Sequence, residues 1–120
     1  MRKCILIVDD EVMNLKRTKL ILEKHYDLIL AKSGEEALEK LREESIDLIL
    51  LDIAMPGMNG IETFKCMKEN GVEVPVIFLT ASGVEDDVVA AISLGAVNYL
   101  KKPFLPKDLL ERIAKEFERQ

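Results

Sequence analysis

Short, nearly unbroken apolar runs alternate with longer amphipathic stretches along the whole chain. Five runs stand out: residues 4–8, 27–31, 46–51, 74–79 and 97–100, each rich in Val, Ile and Leu. They lack the strict alternation of a sheet with one wet face, so they read as parallel strands covered on both sides. Between them the apolar positions fall at helical spacing: Thr18, Ile21 and Leu22; Ala37, Leu38 and Leu41; Ile61, Phe64 and Met67; Val88, Ala91 and Ile92; Leu109, Ile113 and Phe117. Five strands and five helices in alternation predict βα units around one parallel sheet.

Start and stop signals support the same division. Ser33 with Glu36, Asn59 with Glu62 and Ser82 with Glu85 are spaced like capping boxes, in which each side chain satisfies a backbone N–H at a helix start. Pro106 sits where the last helix should begin, and Gly71 and Gly95 sit where the third and fourth should end. Parallel neighbours need right-handed crossovers, and five units are too few for a closed barrel of eight. The expected fold is therefore α/β, an open doubly wound sheet of five parallel strands.

Composition narrows the functional classes. A chain of 120 residues holds one domain, 1–120, without room for a second module. No apolar run approaches the roughly 20 residues that span a bilayer, and the opening Met1-Arg2-Lys3-Cys4 does not lead into a signal peptide. Seventeen basic residues against 22 acidic ones give a net charge of −5, which disfavours direct nucleic-acid contact. Cys4 and Cys66 form no CxxC pair, and inert thiols in a cytoplasmic protein are the simplest reading.

In open α/β sheets the ligand site lies beyond the carboxyl ends of the strands. There stand Asp9, Asp10 and Glu11 after the first strand, Asp52 after the third, Thr80, Ala81 and Ser82 after the fourth, and Lys101, Lys102 and Pro103 after the fifth. If those strands are neighbours, three carboxylates, a hydroxyl and an ammonium converge. Two carboxylates about 4 Å apart repel by about 4 kcal/mol at an effective dielectric of 20, so the cluster wants a cation. An all-oxygen donor set suits Mg2+, which often shares its site with a phosphoryl group. Asp52 would then attack phosphorus, Lys102 would neutralise a phosphoryl oxygen and Thr80 would hydrogen-bond another.

Each residue also has a plainer reading. Asp9 or Asp10 can cap the first helix, Asp52 can be a loop acid before the Met55-Pro56-Gly57 turn, Thr80 can be β-branched filler, and Lys102 can be solvated. His25, the sole histidine, fits a helix end or the surface, and Met13, Met58 and Met67 fit packing roles. Jointly, the four strand ends point at one site far more strongly than any one of them does.

Those strand ends resemble the receiver domain of bacterial two-component response regulators, and the resemblance covers essentially the entire chain. It is carried by Val8-Asp9-Asp10-Glu11, the segment Asp52-Ile53-Ala54-Met55-Pro56-Gly57-Met58-Asn59-Gly60, Thr80-Ala81, Gly95-Ala96 and Tyr99-Leu100-Lys101-Lys102-Pro103-Phe104. It implies a flavodoxin-like fold with strand order 2-1-3-4-5. It also implies Asp52 as phosphoacceptor, Asp10 as direct Mg2+ ligand, Asp9 acting partly through water, and the Ala54 carbonyl as a further ligand, with Mn2+ able to substitute. Lys102 matches the family's lysine, the Lys102-Pro103 bond would be cis, and Thr80 and Tyr99 match a switch pair. Ala54 and Ser82 stand where relatives modulate phosphoryl lifetime. Asn59 replaces a frequent Asp, and Val97-Asn98 replaces an acidic pair of the winged-helix branch, which puts that branch's dimerisation in doubt.

The implied function is phosphorelay signalling. A sensor histidine kinase or phosphotransfer protein would be the donor, and a downstream output domain or protein would read the surface of the fourth and fifth helices and the fifth strand. A phosphorylation-dependent dimer stays open, and no enzyme activity beyond self-phosphorylation and dephosphorylation is expected. Two rivals remain: a flavin-binding electron carrier, whose phosphate loop would not hold Asp9, Asp10 and Glu11, and an aspartate-nucleophile phosphatase, which would carry a second acid at Ala54.

Overall fold

The computed structural model describes residues 2–81, 93, 95 and 98–119. Its elements are β1 (Cys4–Val8), α1 (Val12–Leu22), β2 (Asp27–Ala31), α2 (Gly34–Glu43), β3 (Leu48–Asp52), α3 (Gly60–Glu69), β4 (Val76–Thr80), β5 (Asn98–Lys101) and α4 (Pro106–Glu118). The helix pattern around Val88, Ala91 and Ile92, with its Ser82 and Glu85 start signal, lies outside the described residues, so α4 is the fifth pattern of the sequence. All strands are parallel, in the order β2-β1-β3-β4-β5. The expected doubly wound, flavodoxin-like sheet is present, with four of the five helices among the described residues.

Period-two side-chain direction splits each central strand between two cores. Leu6, Val8, Ile49, Leu51, Val76 and Phe78 meet Ala37 of α2 and Phe64 and Met67 of α3 on one face. Ile5, Ile7, Leu48, Leu50, Ile77 and Leu79 meet Leu15 and Leu22 of α1 and Leu109 and Ile113 of α4 on the other. Each large side chain so buried contributes about 1.5 to 3 kcal/mol of transfer free energy. This explains why the central runs are apolar throughout, while β2 at the sheet edge is half-exposed.

Three strands differ in their bounds from the sequence pattern. β3 begins at Leu48 rather than Ile46, and β4 at Val76 rather than Val74; each runs one residue further, to Asp52 and Thr80. Ile46 is buried without pairing, because the following Asp47 turns its carboxylate back to the Cys4 N–H at 2.7 Å. Pro75 lacks an N–H and delays the start of β4, although its carbonyl still accepts from Ile49. β5 spans Asn98–Lys101, with Val97 outside the described residues.

The caps also differ in detail. Asn59 and Glu62 form the full reciprocal box at 2.9 and 3.1 Å. Ser33 accepts from the Glu36 N–H at 3.1 Å, but the Glu36 carboxylate answers the Lys32 N–H instead, so this box is only half closed. Gly71 follows α3 at φ 76°, as a left-handed terminator should, and Gly95 has φ 96°. Met67 packs in the core and Met58 is half-buried, but Met13, expected to pack, is 68% exposed on the outer face of α1.

Candidate functional site

The apolar register of β1, β3 and β4 delivers their polar ends to one edge. Val8 lies opposite Ala31 and Leu51, Asp52 opposite Leu79, and Thr80 opposite Lys101, so the chain becomes polar at one level across the sheet. Asp9 and Asp52 are almost fully buried, Asp10 is half-buried, and one carboxylate oxygen from each lies within 4.8 Å of the others. Thr80 is buried beside them, and Tyr99 is 39% exposed on β5.

Lys102 is the basic partner of this cluster. Its Nζ donates to Asp9 Oδ2 at 2.9 Å and lies 3.3 Å from Asp52 Oδ1. The second contact is an ion pair without hydrogen-bond alignment, which leaves Asp52 Oδ1 buried with no donor among the described residues. Its own backbone N–H donates to Thr80 O, and the Lys102–Pro103 peptide bond is cis. Lys101, by contrast, is exposed.

Asp9 is held at both oxygens, since Oδ1 accepts the Glu11 N–H at 3.0 Å. The capping alternative for the two acids fails: α1 takes Glu11 as its N-cap and has no side-chain cap bond. Burial pushes the Asp52 carboxyl up to about 6, with the charges of Asp9 and Asp10 adding to the rise and Lys102 opposing it. Burial alone would lower the Lys102 ammonium, but the hydrogen bond to Asp9 and the charges of Asp52 and Asp9 outweigh it, and the pKa rises. One lysine thus shares its charge between two buried carboxylates, and a third acid stands beside them.

The turn after β3 fixes the far wall. Gly60 donates its N–H to Ile53 O at 2.9 Å, and a Cβ there would lie 2.3 Å from Asp52 O. Only glycine allows the start of α3 to press against the strand end that carries Asp52. Sequence reasoning missed this contact; its trace was the Gly that follows the capping Asn59. Gly57, at φ 73°, completes the turn, and Ala54 is exposed at the rim. On the other side a cleft of about 230 Å³ opens beside Lys102, between Asn14, Arg17 and Thr18 of α1 and Ala81, Pro103 and Phe104. Ser82, the remaining predicted site residue, lies outside the described residues.

The described geometry brings together Asp9, Asp10, Asp52, Thr80 and Lys102, and it has relatives. The model of the response regulator receiver domain matches residues 5–114. The chain is 41% identical over 114 residues to the alkaline phosphatase synthesis transcriptional regulatory protein PhoP of Bacillus subtilis, covering 94% of this chain and 48% of that protein. It is 42% identical over 113 residues to the transcriptional regulatory protein CpxR of Escherichia coli, with the same coverage of 94% and 48%. The chain therefore spans about half the length of these curated relatives. Among solved structures, a CheY-like response regulator receiver domain protein from Methanospirillum hungatei superposes with a TM-score of 0.93 at 34% identity, covering 99% of this chain and 96% of that one. Response regulator DrrB, an OmpR/PhoB homologue from Thermotoga maritima, gives 0.87 at 32% identity, covering 99% of this chain and 54% of that one. With the fold, the converging acids and a family match over nearly its whole length in agreement, the chain belongs to the response regulator receiver domain family.

Proposed function

We propose that this domain accepts a phosphoryl group on Asp52 from a histidine kinase or phosphotransfer protein, with Mg2+, and so changes a surface that another protein or an output domain reads. The observation that carries this reading is the buried, undonated Asp52 Oδ1 inside a cluster of three carboxylates that share one ammonium. The oxygen-only donor set fits a hard divalent cation. Asp10 and Asp52, with the Ala54 carbonyl, would hold the ion in this reading. Asp9, whose oxygens already serve Lys102 and the Glu11 N–H, acts at one remove. When bound, the ion neutralises charge on the phosphoryl oxygens.

The chain's own groups do the rest. Asp52 is the nucleophile: its oxygen forms the new bond to phosphorus as the donor's bond to phosphorus breaks. Lys102 moves its ammonium from carboxylate to phosphoryl oxygen, a short shift given its 2.9 and 3.3 Å contacts. Thr80, buried at the same edge, donates to another phosphoryl oxygen, and Tyr99 turns into the space its movement leaves. An acyl phosphate carries about two negative charges where the carboxylate carried one, and spreads them over three new acceptor oxygens, enough to bias a two-state surface. Exposed Ala54 leaves the approach of a hydrolytic water open. The chemistry is self-directed and regulatory, in a cytoplasmic setting; no helix among the described residues is long and apolar enough to cross a membrane.

Incubation with acetyl phosphate and Mg2+, followed by intact-mass measurement, tests the reading. One phosphoryl group should be gained, lost on chelation of the metal before addition, and absent in Asp52→Asn. Unchanged mass in the native chain, or equal uptake by Asp52→Asn, contradicts it.

A further inference from the structure

β5 is an edge strand, and outer edges carry backbone groups that no neighbouring strand takes up. At Tyr99 both backbone groups are taken by side chains. The Tyr99 N–H donates to Asn98 Oδ1 at 2.8 Å, and its C=O accepts from Arg112 Nη1 at 2.6 Å. The same Nη1 donates to Asn98 Oδ1 at 2.9 Å, closing a ring of hydrogen bonds around the Tyr99 backbone. Arg112 stands on α4, so this ring ties Tyr99 to the helix that covers the sheet face.

Side-chain direction on a strand follows the backbone that carries it. With N–H and C=O both held, the Cα–Cβ bond of Tyr99 keeps its outward aim, and the ring stays 39% exposed. Its strand neighbour Leu100 is buried and Lys101 is exposed. A guanidinium is a strong donor, yet both acceptors are uncharged, so the clamp holds less firmly than a buried ion pair and can open.

We propose that Arg112 is a positioning residue for Tyr99: with Asn98 it clamps the Tyr99 backbone to α4, holds the ring outward, and lets go when the ring turns in. The proposal rests on the switch role given to Tyr99 above. It assigns Asn98, which stands where relatives of the winged-helix branch often carry an acid, to a contact within the chain.

Tyr26→Phe leaves Tyr99 as the sole tyrosine in a chain without tryptophan, which gives a clean background. In that background, Arg112→Ala, Asn98→Ala, their combination and Arg112→Lys are compared by amide hydrogen exchange at Tyr99 and by acrylamide quenching of tyrosine fluorescence. Without a phosphoryl donor, each alanine variant should speed exchange at Tyr99 about tenfold and reduce quenching. The double variant should go no further than either single one, and Arg112→Lys should restore part of the protection. In the parent, acetyl phosphate with Mg2+ should produce the same two changes. Unchanged exchange and quenching in the alanine variants, or additive effects, would overturn the clamp. So would an unaltered Tyr99 amide in a parent whose mass confirms phosphorylation. If the mass shows no phosphorylation, the switch reading fails, while the comparison without donor still judges the clamp.

Discussion

At Asp52 the fold accepts an electrostatic penalty. The carboxyl is buried at 4% exposure beside two other acids, and its pKa rises from 3.8 to about 6. Between those values the native state binds more protons than the unfolded chain, so stability falls as pH rises from about 4 to 6 and the full penalty remains above. A shift of this size sets an upper bound of about 3 kcal/mol at 1.36 kcal/mol per unit. Asp52→Asn should accordingly stabilise the metal-free protein by about 1 to 2 kcal/mol near neutral pH and have little effect below about pH 4, as read from urea melts. Mg2+ should raise the melting temperature of the native chain well above pH 6 and much less at pH 5. Lys102→Met leaves Asp9 and Asp52 without a counter-charge. It should destabilise the metal-free protein by about 1 to 3 kcal/mol, with saturating Mg2+ recovering most of the loss.

These acids were legible because the residues after each apolar run could be read directly from the sequence. Their inequality was not: the Glu11 N–H and the Lys102 ammonium both fall on Asp9, leaving Asp52 Oδ1 without a donor. The choice made by Lys102 joins positions ninety-three residues apart along the chain and has no local signature.

Among the elements, legibility followed the source of stability. Helix positions such as Ala37, Phe64 and Ile113 were readable because burial on one face imposes its period. Strand starts slipped because Asp47 turns its carboxylate to the Cys4 N–H and Pro75 has no N–H to give the ladder, neither of which hydropathy reports. Met13 was misplaced because an apolar residue can stay outside without disturbing that period. The start of α3 is the element on which the site leans most. Gly60→Ala would drive a Cβ to 2.3 Å from Asp52 O, and should destabilise the protein by about 2 to 4 kcal/mol and slow phosphoryl uptake. Asn59→Ala removes only the cap and should cost about 1 kcal/mol with uptake nearly unchanged. Urea melts and a timed acetyl phosphate reaction on the two variants separate loss of a cap from loss of the strand–helix approach.

Across the whole molecule, the strand order does the functional work. Because β1 and β4 both flank β3, their ends bring Asp9, Asp10 and Thr80 to Asp52, and β5 adds Lys102 from the far side. The alternation of elements revealed a parallel sheet, but the 2-1-3-4-5 order came only with the family resemblance, since local pattern does not say which strands adjoin. A calorimetric Mg2+ titration at about pH 7.5, comparing the native chain with Asp10→Asn, tests most directly whether those ends build one site. The account predicts one ion per chain in the native protein and affinity weakened about tenfold or more in the variant. No uptake by the native chain, or uptake that Asp10→Asn leaves unchanged, would contradict it.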